Sequence, residues 1–257
     1  MTEETEQARA NAVDAYVRTR VEAVERQLRP YLADSEDVAG PIRAAWQDVE
    51  PEALRWLALE LSDPGACELD WELGDDDCVR FPALEDAERR VEYVHNTRVR
   101  LDAIAASRIG DDDDVPEELA ELPRRLAASL DGALDMPRAL EAATDFLKHA
   151  NELAERAKAK RGEVGKAALQ SARSGLDTVR DTLGLGREQP AAFLGRVRSR
   201  RAARAGLSEA EVQARIDERV EARARRDFAR ADAIRDALAQ RGVELMDSPR
   251  GTTWRIP

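Results

Sequence analysis

The sequence predicts a mainly α fold, in which a helical bundle is followed by a small C-terminal α/β domain. Ala, Leu, Arg, Glu and Asp dominate the chain and aromatic residues make up only 4% of it, a composition that favours helices. Apolar residues recur at three- and four-residue spacing through most of the chain and alternate only near its end. With 257 residues, 43% of them hydrophobic, the chain can form one large or two modest domains with a true core.

The first part of the chain is expected to be entirely helical. In its first helix, Val17, Val21, Val24 and Leu28 share one face, and Pro30 is expected to limit the run because proline breaks the helical hydrogen-bond pattern. Residues 1–49 as a whole form a divergent N-terminal helical segment. The expected helices are, in order, residues 3–30, 51–61, 82–107, 116–132, 137–160 and 163–184.

A separate C-terminal domain is expected over residues 208–257, after an Arg-rich linker at residues 191–207. Ser208 and Glu211 fit a capping box, the pattern that begins a helix. Gly242 is placed to end a helix in the left-handed conformation, and the alternating residues beyond it are typical of strands. The expected elements are helices at 209–226 and 228–240 and a two-stranded hairpin formed by 243–245 and 252–256.

Charge is distributed unevenly along the chain. The formal net charge is −12, which argues against a broadly basic coat for nucleic acid. From Gly195 to Pro257, however, there are 15 Arg and 10 acidic residues, whereas Met1 to Leu194 contains 25 basic and 42 acidic residues. A basic tail domain on an acidic body indicates a localised contact with a polyanion, although a solvated arginine-rich helix would show the same charge.

Neither metal, cofactor nor membrane is indicated by the sequence. The two cysteines, Cys67 and Cys78, lack the partners of a disulfide framework or a zinc site. The acidic residues 75–77 are expected to lie in a loop. Residues 111–114 are expected to form a solvated linker and not a metal site, because the alternating ligands and closing Glu of a calcium loop are missing. The acidic N-terminus has no signal-peptide pattern and no apolar run is long enough to span a membrane. A cytoplasmic protein without cofactors is therefore expected.

The end of the chain carries the most specific pattern. A basic helix is followed by a break at Arg226-Asp227-Phe228, a helix with residues 231–236 reading Ala-Asp-Ala-Ile-Arg-Asp, a strand after Gly242, and a tail with residues 251–255 reading Gly-Thr-Thr-Trp-Arg. This order closely resembles the C-terminal anticodon-binding domain of cysteinyl-tRNA synthetases. The resemblance implies that the partner is the anticodon arm of a tRNA.

Weaker similarity extends upstream in the same order. Residues 50–56 (Glu-Pro-Glu-Ala-Leu-Arg-Trp) resemble the entry into the helical bundle of class I synthetases, the DALR domain, and residues 68–71, 88–97 and 130–140 resemble later segments of the cysteinyl family. At residues 135–137, Asp-Met-Pro stands where that family usually has Asn-Thr-Pro. The resemblance implies a DALR-like bundle over residues 50–190.

The resemblance also implies which residues contact RNA bases. The matching positions are Arg223, Phe228, Asp232, Arg235 and Asp247. A bare aromatic ring can stack on an unpaired base, carboxylates can accept from the N–H groups of guanine, and guanidinium groups can donate to base edges. Two alternatives stay open: Phe228 could be a core aromatic, and Asp232 with Arg235 could be an ordinary ion pair within one helix.

Four further arginines are candidate phosphate contacts, which add affinity without reading sequence. They are Arg225, Arg226, Arg250 and Arg255. Trp254, by contrast, is expected to anchor the core of the C-terminal domain.

No catalytic signature is visible. The family's catalytic domain contains a His-x-Gly-His signature, a Lys-Met-Ser-Lys-Ser loop and a zinc site, and none of these occurs in the sequence. His95 and His149 are expected to be satisfied surface or groove histidines and not catalysts, because no Ser- or Cys-like nucleophile is paired with them. The chain is therefore predicted to be a non-catalytic tRNA-binding protein that recognises tRNA(Cys) or a related RNA.

Two other functions remain open. The chain could be an auxiliary or split subunit of a cysteine–tRNA ligase, with residues 1–50 binding a separate catalytic chain. It could also be a protein-interaction module that kept the fold and lost RNA binding. The net charge of −12 favours this last hypothesis, whereas retention of the whole base-contacting set argues against it.

Overall fold

The computed structural model describes residues 2–33, 39–63, 69–74, 78–159, 163–248 and 251–256. The chain divides into two compact units, Met1–Pro190 and Ala191–Pro257, which are called the bundle unit and the C-terminal unit below. The described residues are mainly helical with small two-stranded sheets, so the predicted fold class is confirmed.

The bundle unit is built from eight helices within the described residues. Their bounds are α1 Glu3–Ala33, α2 Ala39–Gln47, α3 Pro51–Glu60, α4 Pro82–Asp102, α5 Glu117–Ala120, α6 Leu122–Leu130, α7 Met136–Lys158 and α8 Lys166–Leu183. Two short sheets join the connections: antiparallel β1 Glu72–Leu73 with β2 Val79–Arg80, and parallel β3 Ile109–Gly110 with β4 Val164–Gly165. A 3-10 turn covers Ala106–Arg108.

Several features of the bundle unit differ from the prediction, and one is that the helix expected at residues 116–132 is divided into α5 and α6. Helix α1 continues through Pro30 to Ala33, since proline removes one backbone hydrogen bond and in the last turn little helix remains to be disrupted. Helix α2 and the two short sheets were not predicted, because elements of this length leave too little periodicity to recognise. The acidic residues 111–114 do lie in an exposed loop, whereas Cys67 and residues 75–77 are outside the described part of the chain.

The core of the bundle unit lies around α7. This helix packs against α3, α4, α6 and α8, and α1 packs against α2, α3 and α8. Phe146 of α7 is fully buried and lies against Gly175 of α8, where an added Cβ would overlap its ring. The close approach of α7 and α8 therefore depends on glycine at position 175.

Residues 50–56, which resemble the entry into the DALR domain, contact the segment that follows α8. The Glu52 carboxylate accepts hydrogen bonds from the backbone N–H groups of Gly186 (2.8 Å), Arg187 (2.9 Å) and Glu188 (3.2 Å). It also lies 3.1 Å from Nε2 of His95, which is only 1% exposed. This arrangement, called the Glu52 clamp below, shows that His95 is satisfied, as expected, but buried.

Arg55 contacts the same region from the next helical turn. Its Nε donates to the carbonyl oxygen of Leu183 at 2.5 Å, and its guanidinium forms an ion pair with Asp14 of α1. Gly184 takes a left-handed φ of 71°, and a side chain there would collide with the Arg55 guanidinium. Residues 50–56 thus stabilise the segment that follows α8.

The C-terminal unit contains α9 Pro190–Arg204, α10 Glu209–Ala224, α11 Phe228–Ala239, β5 Glu244–Ser248 and β6 Gly251–Arg255. The two strands pair antiparallel, with Leu245 opposite Trp254 and Asp247 opposite Thr252. Helix α9 occupies the segment expected to be a linker at 191–207. Phe193, Val197 and Ala202 are buried, and this sparse apolar pattern was obscured by the surrounding arginines.

One apolar cluster holds this unit together. Its buried members are Ala202, Leu207, Val212, Ile216, Ile234, Leu238, Val243 and Trp254. The expected role of Trp254 as a core anchor is therefore confirmed. The capping box of Ser208 and Glu211 is also present, and Gly242 adopts the expected left-handed conformation with φ 77°.

Within the described residues, no group of three or more His, Cys, Asp or Glu side chains is placed to hold a metal ion. No helix there is long and apolar enough to cross a bilayer.

Candidate nucleic-acid interface

A sharp bend between α10 and α11 places several candidate residues at the surface. Arg226 lies at the bend with a left-handed φ of 62°. Its backbone N–H donates to the carbonyl oxygen of Arg223, and the backbone N–H of Asp227 donates to the carbonyl oxygen of Ala222. This is the hydrogen-bond pattern of a Schellman helix end, where glycine is usual. Asp227 then caps α11 by accepting from the backbone of Arg230 at 3.0 Å.

Phe228 begins α11 directly after the bend and is 60% exposed. The alternative in which it forms part of the core is therefore wrong. Its burial would ordinarily be favourable by about 1.5–3 kcal/mol, so its exposure leaves an apolar ring available to a partner.

Asp232 and Arg235 lie on the same exposed face of α11 as Phe228, at helical positions i, i+4 and i+7. The buried residues of the helix, Ala231, Ile234 and Leu238, lie along a different, neighbouring side of it. Asp232 and Arg235 form no ion pair with each other in the described structure. The alternative of an intrahelical pair is therefore wrong, and the three residues together are called the α11 face below.

Asp247, on β5, is surrounded by donors. Arg219 donates to both of its oxygens at 2.9 and 2.8 Å, Arg223 to Oδ2 at 3.0 Å, and the Thr252 hydroxyl to Oδ1 at 2.7 Å. Hydrogen bonds from Arg219 and then Thr252 hold the pKa of this carboxyl well below its usual value. A carboxylate has about four acceptor sites, and four donors already occupy them.

The arrangement of Arg219, Arg223 and Asp247, called the Arg–Asp cluster below, bears on how a base could be read. Asp247 can accept from a guanine only if one of its present donors moves. Arg223 is held at one nitrogen and exposed over half of its side chain, so the rest of its guanidinium remains available. The cluster therefore presents a donor at the surface more readily than an acceptor.

Arg219 was not among the residues predicted from the sequence. It is only 6% exposed, and hydrogen bonding to Asp247 raises the pKa of its guanidinium, with a smaller electrostatic contribution from Asp232. Its position could have been noticed, because it continues the apolar stripe of α10 through Val212 and Ile216. A charge on a buried stripe requires an acidic partner.

The candidate phosphate contacts differ in what already surrounds them. Arg226 is exposed and has no side-chain partner among the described residues. Arg225 forms an exposed ion pair with Glu221 at 3.1 Å, and Arg255 one with Glu244 at 2.7 Å. Exposed pairs of this kind contribute only about 0–1 kcal/mol, so either arginine could exchange its partner for a phosphate. Arg250 lies outside the described residues.

Comparison with known proteins finds relatives that are cysteine–tRNA ligases. The protein of Geobacter sulfurreducens is 39% identical over 178 residues, which are 67% of this chain and 36% of the relative. That of Anaeromyxobacter sp. (strain Fw109-5) is 41% identical over 175 residues, and that of Syntrophobacter fumaroxidans is 28% identical over 228 residues, 84% of this chain and 44% of the relative. No family model matches the chain.

The chain thus spans about a third of the length of the first two of these relatives. The identity of about 40% is spread over 175–178 residues, far more than the separate motifs by which the resemblance was recognised. Over about two thirds of its length, this chain is a partial relative of the cysteine–tRNA ligases, as its motifs predicted.

Proposed function

We propose that the C-terminal unit binds RNA through the α11 face and the Arg–Asp cluster, and that the RNA is the anticodon arm of tRNA(Cys) or a related RNA. The observation that carries the proposal is the exposed ring of Phe228, on the same helix face as an unpaired carboxylate and an unpaired guanidinium. Single-stranded loops are recognised by this combination, because splayed bases stack on aromatic rings and hydrogen-bond through their edges.

The roles within this surface follow from the availability of each group. Phe228 provides the stacking face, and Asp232 is the open acceptor for the N–H groups of a guanine. Arg223, held by Asp247, donates to a base edge or a phosphate from a fixed position, so little rotamer freedom is lost on binding. Asp247 acts mainly as the residue that orients Arg223.

Positive charge supplies the remaining affinity. Arg226, at the bend, lies two residues before Phe228, and Arg225 and Arg255 can join it by leaving their exposed acidic partners. Contacts of this kind bind any RNA and give binding a steep salt dependence.

The proposal is tested by the affinity for anticodon stem-loops in a gel-shift titration at fixed salt. A stem-loop containing GCA should bind more tightly than one in which the G is replaced. Phe228→Ala should weaken binding by roughly 1–3 kcal/mol, while Val99→Ala, which shortens a similarly exposed apolar side chain on α4, should leave it unchanged. Equal affinity of both variants and the unmodified chain for both loops would contradict the proposal.

The proposed function includes no chemistry by this chain alone. The purified chain should show no cysteine-dependent ATP–pyrophosphate exchange above a mock-purified control. Exchange that appears when a separate synthetase chain is added, together with its co-purification, would instead indicate an auxiliary subunit. Exchange by the pure chain would overturn the non-catalytic assignment.

A further inference from the structure

A groove lies in the bundle unit between the first turns of α1 and the helices α6 and α8, and it is called the acidic groove below. Its volume is about 480 Å³, which is within the range of pockets that hold ligands in other proteins. Its floor is apolar and partly buried, and it is formed by Ala10, Pro123 and Ala127. Its rim is exposed and acidic, and it carries Glu3 and Glu6 of α1 and Asp181 of α8.

The acidic groove exists because the inner face of α1 changes character near the start of the helix. Val13 and Val17 on this face are buried. Glu3, Glu6 and Ala10 precede them at helical spacing and line the groove. A helix face that packs on a bundle is ordinarily apolar, so the first turns of α1 leave a space beside α6 and α8 and do not close it.

The groove keeps an excess of negative charge after its ion pairs are taken into account. Three arginines lie in or beside it, and their pairs are Arg9 with Asp131 at 2.6 Å, Arg98 with Asp177 at 2.7 Å, and Arg180 with Asp177 at 2.9 Å and with Asp181 at 2.7 Å. Glu3 and Glu6 form no ion pair or side-chain hydrogen bond with the residues that the structure describes. Five carboxylates therefore accompany three guanidinium groups.

Helix stability explains only one side of the acidic rim. The helix dipole favours carboxylates in a first turn, and Glu3, Glu4 and Glu6 all lie in the first turn of α1. Asp181, however, lies in the last turn of α8, where the dipole disfavours a carboxylate. The two sides thus share their negative charge although only one of them is stabilised by it.

We propose that the acidic groove binds a lysine- or arginine-rich segment of a partner protein. Long basic side chains match both parts of the lining, because the aliphatic stem packs on apolar surface while the charged end reaches the carboxylates. The rim would repel the phosphate groups of an RNA. The inference therefore concerns a different partner from the one in the proposed function and does not rest on it.

The first test is the affinity of the full chain for a fluorescently labelled amphipathic peptide of leucine, alanine and lysine, measured by anisotropy at fixed low salt. Glu3→Gln/Glu6→Gln should weaken binding by roughly three- to tenfold, the effect of losing two exposed charge pairs. The matched control is Glu22→Gln/Glu25→Gln, which changes the charge of exposed residues on the same helix equally and should leave affinity unchanged. Equal losses in the two variants, or no binding by the unmodified chain, would overturn the inference.

A second pair of variants tests the floor without altering any charge. Ala127→Trp places a large side chain in the acidic groove and should abolish binding of the peptide. Ala128→Trp, at the neighbouring exposed position of α6, should leave binding intact. Undiminished binding by Ala127→Trp would show that the peptide lies elsewhere and would overturn the groove as the site.

Cross-linking locates the bound peptide directly. A carbodiimide joins peptide lysines to nearby carboxylates, and mass spectrometry should find the links at Glu3, Glu6 and Asp181. Links confined to Glu22 and Glu25 would overturn the inference. Analytical ultracentrifugation tests another occupant: self-association of the unmodified chain that Glu3→Gln/Glu6→Gln abolishes would overturn a partner protein and indicate a second copy of this chain.

Discussion

The two units each contain a carboxylate that accepts four hydrogen bonds, yet the donors differ in kind. Glu52 is held by three backbone N–H groups and a buried histidine. Asp247 is held by two arginine side chains and a threonine hydroxyl, close to solvent. Each backbone N–H group has a single hydrogen, which Glu52 already occupies, whereas an arginine that donates to Asp247 keeps further N–H groups for a partner. The same arrangement is therefore structural in the bundle unit and suited to recognition in the C-terminal unit.

The largest effect is expected from Glu52→Ala. Removal of the carboxylate leaves three backbone N–H groups and His95 without their acceptor, and a buried unsatisfied group costs about 1–3 kcal/mol. The free energy of unfolding of the bundle unit should fall by about 3 kcal/mol in total, measured by hydrogen exchange of bundle-unit peptides. Glu25→Ala, an exposed substitution on α1, is the control. A loss no larger than that of the control would show that the Glu52 clamp is not structural.

Protonation should weaken the same clamp. Burial alone raises the pKa of Glu52, but hydrogen bonds from His95, Gly186 and Glu188 outweigh it, so the pKa lies below its usual 4.5. A carboxyl with a lowered pKa stabilises the fold above its unfolded pKa, and this contribution is lost as pH falls through the folded value. Stability should therefore decline below about pH 4.5, and Glu52→Gln should make that decline shallower. The free energy of unfolding of both proteins is measured by denaturant titration at several pH values. If Glu52→Gln lost stability below about pH 4.5 as steeply as the unmodified chain, Glu52 would not be the group whose protonation weakens the fold.

In the C-terminal unit, Arg219→Ala should affect both stability and binding. It removes a buried guanidinium and two charge-assisted hydrogen bonds to Asp247, for a loss of about 2 kcal/mol. Because Asp247 then keeps only the hydrogen bonds from Arg223 and Thr252, it orients Arg223 less firmly, and RNA affinity should fall as well. Arg215→Ala, which removes only an exposed pair with Glu218, should change neither quantity. A loss of stability with RNA affinity unchanged would limit the Arg–Asp cluster to a structural role.

The sequence predicted the fold class, most helices and the hairpin, because those elements have long or regular apolar patterns. It did not predict α9, in which Phe193, Val197 and Ala202 are too widely spaced among arginines to stand out. Nor did it predict the two carboxylate arrangements. Glu52 contacts residues 134–136 positions later in the chain. Asp247 contacts α10, which is separated from it in the chain by α11. Sequence periodicity carries no information about such pairs.

The sequence predicted some residues of the candidate surface better than others, for the same reason. Phe228, Asp232 and Arg235 lie within one helix, so their shared face follows from helical geometry. Asp247, in contrast, was predicted as an open acceptor because its partner Arg219 is 28 residues away. Long-range donors decide whether a polar residue is available, and they become visible only once the chain is folded.

Arg223→Ala and Arg226→Ala should weaken RNA binding in different ways. Arg223 is fixed by Asp247 and is proposed to contact a base, so its loss should cost roughly 1–3 kcal/mol and reduce discrimination between anticodons. Arg226 has no described partner and is proposed to contact phosphate, so its loss should weaken all RNAs alike and lower the salt slope by about one unit. The measurement is the affinity of both variants for cognate and altered stem-loops at several salt concentrations. A uniform loss for both would reduce the surface to a basic patch.

The smallest effect is expected from Arg226→Gly, which should change the stability of the C-terminal unit and its RNA affinity in opposite directions. Arg226 has a left-handed backbone at the end of α10, a conformation that costs a side-chain-bearing residue about 1–2 kcal/mol and glycine almost nothing. Arg226→Gly should therefore stabilise the C-terminal unit. The gain should be at most about 1 kcal/mol, because glycine also makes the unfolded chain more flexible and thereby favours unfolding. The same variant should bind RNA more weakly. Arg226→Ala provides the control, because it removes the guanidinium and keeps the strained backbone. If the Arg226→Gly variant were more stable and bound RNA as tightly as the unmodified chain, Arg226 would have no role in RNA binding. Its left-handed backbone would then lower the stability of the unit with no gain in RNA affinity.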